Sequence, residues 1–361
     1  MATPLTSGAE PRPNSLPDPR DPGTTGPRGS EYAELSRLVK QAGLLDRRLG
    51  YYTWKITLTA LALAAGWAVF VLAGDTWWQL ATAVFLAVVF AQLGFLGHDA
   101  GHRQVFASAR ANYLLGIACG NAGIGLSYGW WVAKHNRHHA HPNQLGRDPD
   151  IGGRAVAFTP EQARARGGAG RWLAGYQAWL FFPMLLLEGL HLHVAGVRTL
   201  LGRRSAAVKV AEGTLLAAHI IGYLTAVFLV LSPVQAVAFL LLQQGVFGVY
   251  LGCSFAPNHK GMTMFGEDEK VDFLRRQVVS SRNIRGNWFT DFALGGLNYQ
   301  IEHHLFPSMP RPSLRHAQAS VREFCEQHGI AYHETGLVDS YVQVLRHLNT
   351  VGGPLRPELE Y

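Results

Sequence analysis

The chain has 361 residues, 48% of them hydrophobic and only 16% charged, with a formal net charge of +7 and a pI near 9.4. A soluble chain of this length would suggest two or more domains, but the apolar residues fall in runs of about twenty, the length of a helix that crosses hydrocarbon. The basic excess flanks these runs (Arg47, Arg48, Lys55, Arg203, Arg204, Lys209) instead of alternating with aromatics, which excludes a nucleic-acid-binding stripe and fits the cytoplasmic Lys/Arg excess of membrane proteins.

Residues 1–30 are rich in Pro, Gly, Ser and Thr, lack the apolar core of a signal peptide, and read as a disordered arm. Residues 31–320 read as one membrane unit with a water-exposed cap, and 321–361 as a C-terminal extension of that cap. The amphipathic stretch 32–49 carries Lys40, Arg47 and Arg48 on its polar face and predicts a helix lying on the membrane surface. Spans are predicted at 56–73 and 77–96, split by Gly74-Asp75, and at 213–231 and 234–255, split by Ser232-Pro233, giving two helical hairpins. Two further apolar segments, 113–126 and 172–190, are interrupted, the first by Gly116, Gly120, Gly123 and Gly125, the second by Pro183. A helical pattern over 315–328 stops at Gly329. Cys119, Cys253 and Cys325 have no CxxC spacing and read as small buried hydrophobes.

Three clusters carry chemistry: His98-Asp-Ala-Gly-His102, His135-Asn-Arg-His138-His139 and Gln300-Ile-Glu-His303-His304. Imidazole is a good ligand for iron, zinc or copper, and histidines three or four apart share one helix face. Converging, the three faces could hold two metal ions with little help from carboxylate or thiolate. They can converge only if all lie on one side of the membrane. Segment 113–126 separates the first two clusters, so it must be re-entrant or interfacial, and 172–190 must stay on one side too. The fold class expected is therefore all-α integral membrane: four transmembrane helices in two hairpins, interfacial helices, and a cytoplasmic helical cap carrying the metal site. The active site and both termini then face the cytoplasm. A zinc hydrolase would show HExxH, which does not occur, and a soluble-type carboxylate di-iron site needs two Glu-x-x-His repeats, of which Glu188–His191 is the single copy.

The words Gly97-His98-Asp99-Ala100-Gly101-His102, Lys134-His135-Asn136, His138-His139-Ala140-His141-Pro142-Asn143 and Asn298-Tyr299-Gln300-Ile301-Glu302-His303-His304-Leu305-Phe306-Pro307 resemble those of membrane fatty acid desaturases, over about residues 50–320. The resemblance implies an oxygen-dependent enzyme that introduces a cis double bond into an acyl chain, presented as acyl-CoA or acyl-lipid, at a centre of two non-haem iron ions. It makes His98, His102, His135, His138, His139, His303 and His304 iron ligands, and adds His259, in Pro257-Asn258-His259, where the family has a further ligand after the fourth span. Gln300 is a departure: many relatives have histidine there, whereas front-end desaturases have glutamine. Those often carry a fused haem-binding domain with a His-Pro-Gly-Gly word, which this sequence lacks, so it looks more like the stand-alone bacterial branch, in a bacterial-type plasma membrane. Gln300 stays open as a ligand.

Asp99, Asp148, Asp150, Asp291 and Glu302 are candidates to accept ring N–H bonds from the ligands, with Asp99 and Asp291 favoured, and Asn258 to assist through a water. Trp130, Trp131, Trp288 and Phe289 are read either as lining of an acyl tunnel or as an interfacial aromatic belt. Arg103, Lys134, Arg137, Arg282, Arg285, Arg311 and Arg315 are candidates for phosphates of acyl-CoA or lipid headgroups. With no cysteine set for an iron–sulfur cluster and no strand–GxGxxG–helix fingerprint, two electrons must come from a separate ferredoxin- or flavin-type reductase. The alternative is a histidine-box hydroxylase, or an oxygenase of sphingolipids or carotenoids, on the same metal chemistry.

Overall fold

A computed structural model of the chain describes residues 30–153, 155–202 and 206–357. The expected arm over 1–30 lies outside the described residues except for Ser30, as do Arg203 and Arg204.

The first helix, α1 (Ser30–Gln41), departs from expectation. Its apolar face is not turned to lipid: Leu35 and Val39 are fully buried in a core with Leu274, Val278, Phe306 and Leu314. Tyr32 Oη donates to Leu305 O at 3.0 Å. An amphipathic stripe is satisfied equally by a bilayer and by a protein core, and periodicity alone does not say which.

Helices α2 (Leu49–Ala73) and α3 (Gln79–Gly101) form the first hairpin, turning at Gly74 with φ +64. Both run past the predicted spans, α2 at its start and α3 at its end, because the polar residues there are helical yet do not count as apolar. α3 is buried on nearly all sides and α2 is open to lipid, with Leu61, Val71 and Leu72 exposed. The second hairpin is α10 (Ala206–Val230) and α11 (Pro233–His259). Asp75 Oδ1 accepts from the Ser232 backbone N–H at 2.9 Å, so the two hairpin turns meet at the same end of the bundle. Among the described residues, four helices are long and apolar enough to cross a membrane, at Leu49–Ala73, Gln79–Gly101, Val210–Val230 and Pro233–His259.

Neither interrupted segment is a straight span. The first becomes α4 (Ala109–Ile117) followed by a π-helical turn, Ala118–Gly123. Nine residues of α-helix rise only about 14 Å, half of what a span needs. Gly125, at φ +69, then reverses the chain into α5 (Tyr128–Ala140); a Cβ there would sit 2.5 Å from the His219 ring. The second segment comes after the short helix α6 (Pro160–Arg164), begins within α7 (Gly168–Gly175) and continues into α8 (Gln177–Leu185) and α9 (Glu188–Leu201), bent by 71°. The bend seats against Gly248 of α11, where a Cβ would lie 2.5 Å from Leu185 O.

The rest is a helical cap: α12 (Phe273–Val279), α13 (Trp288–Ala293), α14 (Gln300–Leu305), α15 (Arg311–Gln327) and α16 (Leu337–Gly352). α15 stops before Gly329, at φ +62. A two-residue parallel pair, β1 (Asn283–Ile284) with β2 (Glu334–Thr335), ties the segment before α13 to that before α16. α16 docks on α8 and the end of α11 through Phe181, Ala256, Val344 and Leu348. Gly248→Ala forces a methyl against backbone atoms of the α8–α9 bend, an overpacking expected to cost about 1–3 kcal/mol. Thermal unfolding in detergent should show this as a lowered midpoint; an unchanged midpoint would mean the bend is not seated on Gly248.

Candidate metal centre

The sequence clusters sit where helices end. His98 and His102 close α3, His135, His138 and His139 line one face of α5, His259 ends α11, and His303 and His304 lie in α14. Their rings gather into two groups, His98, His102, His135 and His303 in one, and His138, His259 and His304 in the other. His139 bridges them: its Nε2 lies 3.0 Å from His135 Nε2 and 3.1 Å from His303 Nε2, and its ring stacks on His304 at 4.2 Å. In the second group, His259 Nε2 lies 3.2 Å from His138 Nε2 and 3.1 Å from His304 Nε2.

These separations fit metal ligation. Two imidazole nitrogens bound at about 2.1 Å and at right angles lie about 3.0 Å apart. His98 Nε2 and His102 Nε2 are buried with no hydrogen-bond partner, a state that proteins rarely leave unrelieved. Burial, reinforced by neighbouring imidazoles, holds His102, His135, His139, His303 and His304 well below the usual histidine range, so they are neutral and able to donate a lone pair. His138 goes the other way: burial lowers it, but Asp150 and Asp148 together raise it.

The Nδ1 atoms on the far side of several rings are occupied, which aims Nε2 inward. His138 Nδ1 lies 3.1 Å from both oxygens of Asp148, and His98 Nδ1 3.4 Å from Asp99 Oδ1. His259 Nδ1 faces Ser280 O and His304 Nδ1 faces Gln277 Oε1, each at 2.9 Å. Asp148 is itself held by the backbone N–H groups of Asn143 and Asp150, at 2.8 and 2.9 Å. Gln277 also donates to His139 O at 3.0 Å. Sequence reasoning missed Gln277 and Ser280, which stand far from any histidine word and have no local signal.

Several expected residues lie elsewhere. Asp291 does not reach a histidine: its Oδ1 accepts from Asn298 Nδ2 at 2.8 Å, because α13 turns it toward the loop before α14. Glu302 points away from its neighbours His303 and His304, accepting from Asn283 and Tyr332; burial pushes it up to about 7. Asn258 Nδ2 donates to Gln300 Oε1 at 3.0 Å, and Gln300 Nε2 lies 2.9 Å from His259 Nε2. His141 faces Gln144 and Arg276 outside both groups. Trp131 stacks on His135 at 4.5 Å, whereas Trp130 is half-buried earlier on α5, and Trp288 and Phe289 are exposed. Of the basic candidates, Arg282 and Arg311 are buried and unable to meet a headgroup, and Lys134 pairs with Asp150. Arg103, Arg137, Arg285 and Arg315 are exposed. An open groove of about 690 Å³ runs between α4 and α5 to His102, walled by Gly101, Tyr113, Tyr128, Val132 and Pro307.

A family model described as fatty acid desaturase matches residues 75–336, which enclose all of these histidines. An acyl-lipid (9-3)-desaturase of Physcomitrium patens is 30% identical over 329 residues, 89% of this chain and 62% of the relative. A Delta(8)-fatty-acid desaturase of Helianthus annuus is 27% identical over 350 residues, 89% of this chain and 72% of the relative. The Delta(6)-fatty-acid desaturase of Caenorhabditis elegans is 27% identical over 334 residues, 89% of this chain and 74% of the relative. The chain thus spans less than two thirds of the Physcomitrium protein's length.

Removing the carboxylate behind His138, by Asp148→Asn, should weaken metal affinity by about 10–100-fold with the fold retained. Metal titration of the stripped protein checks this, and an unchanged affinity would remove Asp148 from the site. On acidification His102, His135 and His303 resist protonation until the pH is well below 6.5, so metal held by that group should be retained through that value, whereas His138, raised by Asp150 and Asp148, takes up a proton earlier in the other group. Release of the first metal at or above 6.5 would contradict the burial just described.

Proposed function

The chain belongs to the fatty acid desaturase family, and on that footing we propose that it is an oxygen-dependent fatty acyl desaturase forming a cis double bond at a centre of two iron ions. One ion would be held by His98, His102, His135 and His303, the other by His138, His259 and His304, with His139 between the two groups and Gln300 beside His259. The observation that carries this reading is the pair of imidazole groups, inward-facing and largely neutral, at the ends of apolar helices. When bound, the iron pair would supply dioxygen activation and the oxidising power to break unactivated C–H bonds. That requirement favours iron over zinc, which has no redox chemistry.

In balance, two adjacent methylene carbons lose one hydrogen each, O2 is reduced to two waters, and two electrons with two protons come from outside. The chain's own residues bind and orient. Asp148, Asp99, Ser280 and Gln277 fix the ring tautomers. The groove ending at His102 admits the acyl chain along α5, with Tyr128 and Val132 as one wall. Its apolar and small residues, Gly101, Val132, Ala133 and Pro307, suit an acyl chain and stand beside the polar Arg103, Asn112, Asn136 and Ser308, and the names of relatives such as the Physcomitrium protein favour an acyl-lipid over an acyl-CoA.

With four spans the metal centre would lie on the same side as both ends of the described chain, and the basic flanks support reading that side as cytoplasmic. Electrons are read as coming from a ferredoxin- or flavin-type donor, because Cys119, Cys253 and Cys325 are free and far apart in sequence, unsuited to a cluster.

Expression in a host supplied with such a reductase should yield a lipid with a new double bond, located after derivatisation. His138→Ala and His303→Ala should each abolish it while the protein remains in the membrane. A new hydroxyl group would move the reading to a hydroxylase on the same site, and activity retained in both variants would defeat the metal assignment.

A further inference from the structure

Asp99 and Arg311 come from segments 212 positions apart, yet both are buried and their charges meet: Arg311 Nη2 lies 2.7 Å from Asp99 Oδ2. The same nitrogen donates to Phe95 O at 2.8 Å, one turn earlier on α3. Asp99's other oxygen, Oδ1, is the one that faces His98 Nδ1. The guanidinium therefore grips the carboxylate from the side opposite the imidazole. One guanidinium nitrogen thus serves a carboxylate and a carbonyl at once, while Arg311 Nε, also buried, has no partner.

The surroundings are built around this grip. Gly296, at φ +78, leaves the slot through which Arg311 passes, since a Cβ there would lie 2.6 Å from Arg311 Cγ. Arg311's backbone N–H donates to Tyr52 Oη at 3.2 Å. Tyr52 in turn donates to Gln104 Oε1, and Gln104 donates to Pro307 O. Three elements thus close on one another: α2, the end of α3, and the turn from α14 into α15. That turn directly follows His303 and His304.

We propose that Arg311 is a positioning residue for the metal centre, holding Asp99 so that it orients His98 and locking the cap's α14–α15 turn onto the end of α3. The inference rests on reading His98 as a metal ligand. It assigns to Arg311 an internal role in place of the headgroup contact that its sequence position suggested.

Four variants of the full chain, purified in detergent, separate the possibilities by iron content, Mössbauer spectrum and unfolding midpoint. Arg311→Met should weaken one of the two metals by about 10–100-fold and leave the other. Arg311→Lys should recover part of the loss. Arg311→Met also strands a buried carboxylate, so it lowers the midpoint; Asp99→Asn with Arg311→Met removes both charges and should restore the midpoint without restoring the metal. If Arg311→Met binds both metals with the wild-type spectrum, the proposal is wrong. If the double variant regains metal along with its midpoint, Arg311 acts through stability alone and the proposal is again wrong. His98→Ala is the control: should it keep both metals, the metal reading itself fails and the positioning role goes with it.

Discussion

Imidazole lone pairs turned toward one another inside a protein are unfavourable unless a cation lies between them, and the rest of this molecule is arranged around that condition. Burial keeps most of the rings neutral, which metal ligation requires. It also leaves nitrogens such as His98 Nε2 and His102 Nε2 without a hydrogen-bond partner. The cost is tolerable only where the opposite ring nitrogen is satisfied and the ring cannot turn away. Asp99, Asp148, Ser280 O and Gln277 meet that need for His98, His138, His259 and His304, each from a different part of the chain, whereas His139 Nδ1 is buried without a partner.

The membrane helices supply rigid delivery. α3 and α11 carry histidines on their last turns, so the position of the site is fixed by where the apolar helices stop. α5 adds three more only because the preceding segment does not cross. Glu212 of α10 accepts from Ser127 Oγ and from the Gly129 N–H, at 3.1 and 3.2 Å, and so secures the first turn of α5. A carboxylate is favourable at a helix N-terminus, where unsatisfied N–H groups and the helix dipole point outward.

The cap does for α11 what it does for α3. Arg282, fully buried, donates to Pro257 O and Lys260 O, both at 2.7 Å, and thus closes the helix end that presents His259. Buried arginines at the ends of both central helices explain why these cations are absent from the surface. Arg282 is held by the carbonyls of Pro257 and Lys260 at the end of α11, and Arg311 by Asp99 with the Phe95 carbonyl one turn earlier on α3.

The sequence alone determined the number of spans, that the segment before α5 is not a straight span, the family words and the gathering of the histidines, because each is a local pattern: an apolar run, a parity condition, a spacing of three or four. It overstated Asp291 and Glu302, which stand in the right words but are turned elsewhere by α13 and by the Asn283–Tyr332 pocket. It assigned α1 to lipid, since a stripe of apolar residues does not name its partner. Only the tertiary structure decided which groups stand behind the rings, selecting Gln277, Ser280 and Asp148, and drawing Arg311 inward to Asp99. Those contacts join residues remote in sequence, and their geometry follows from how helix ends pack, which no spacing along the chain encodes.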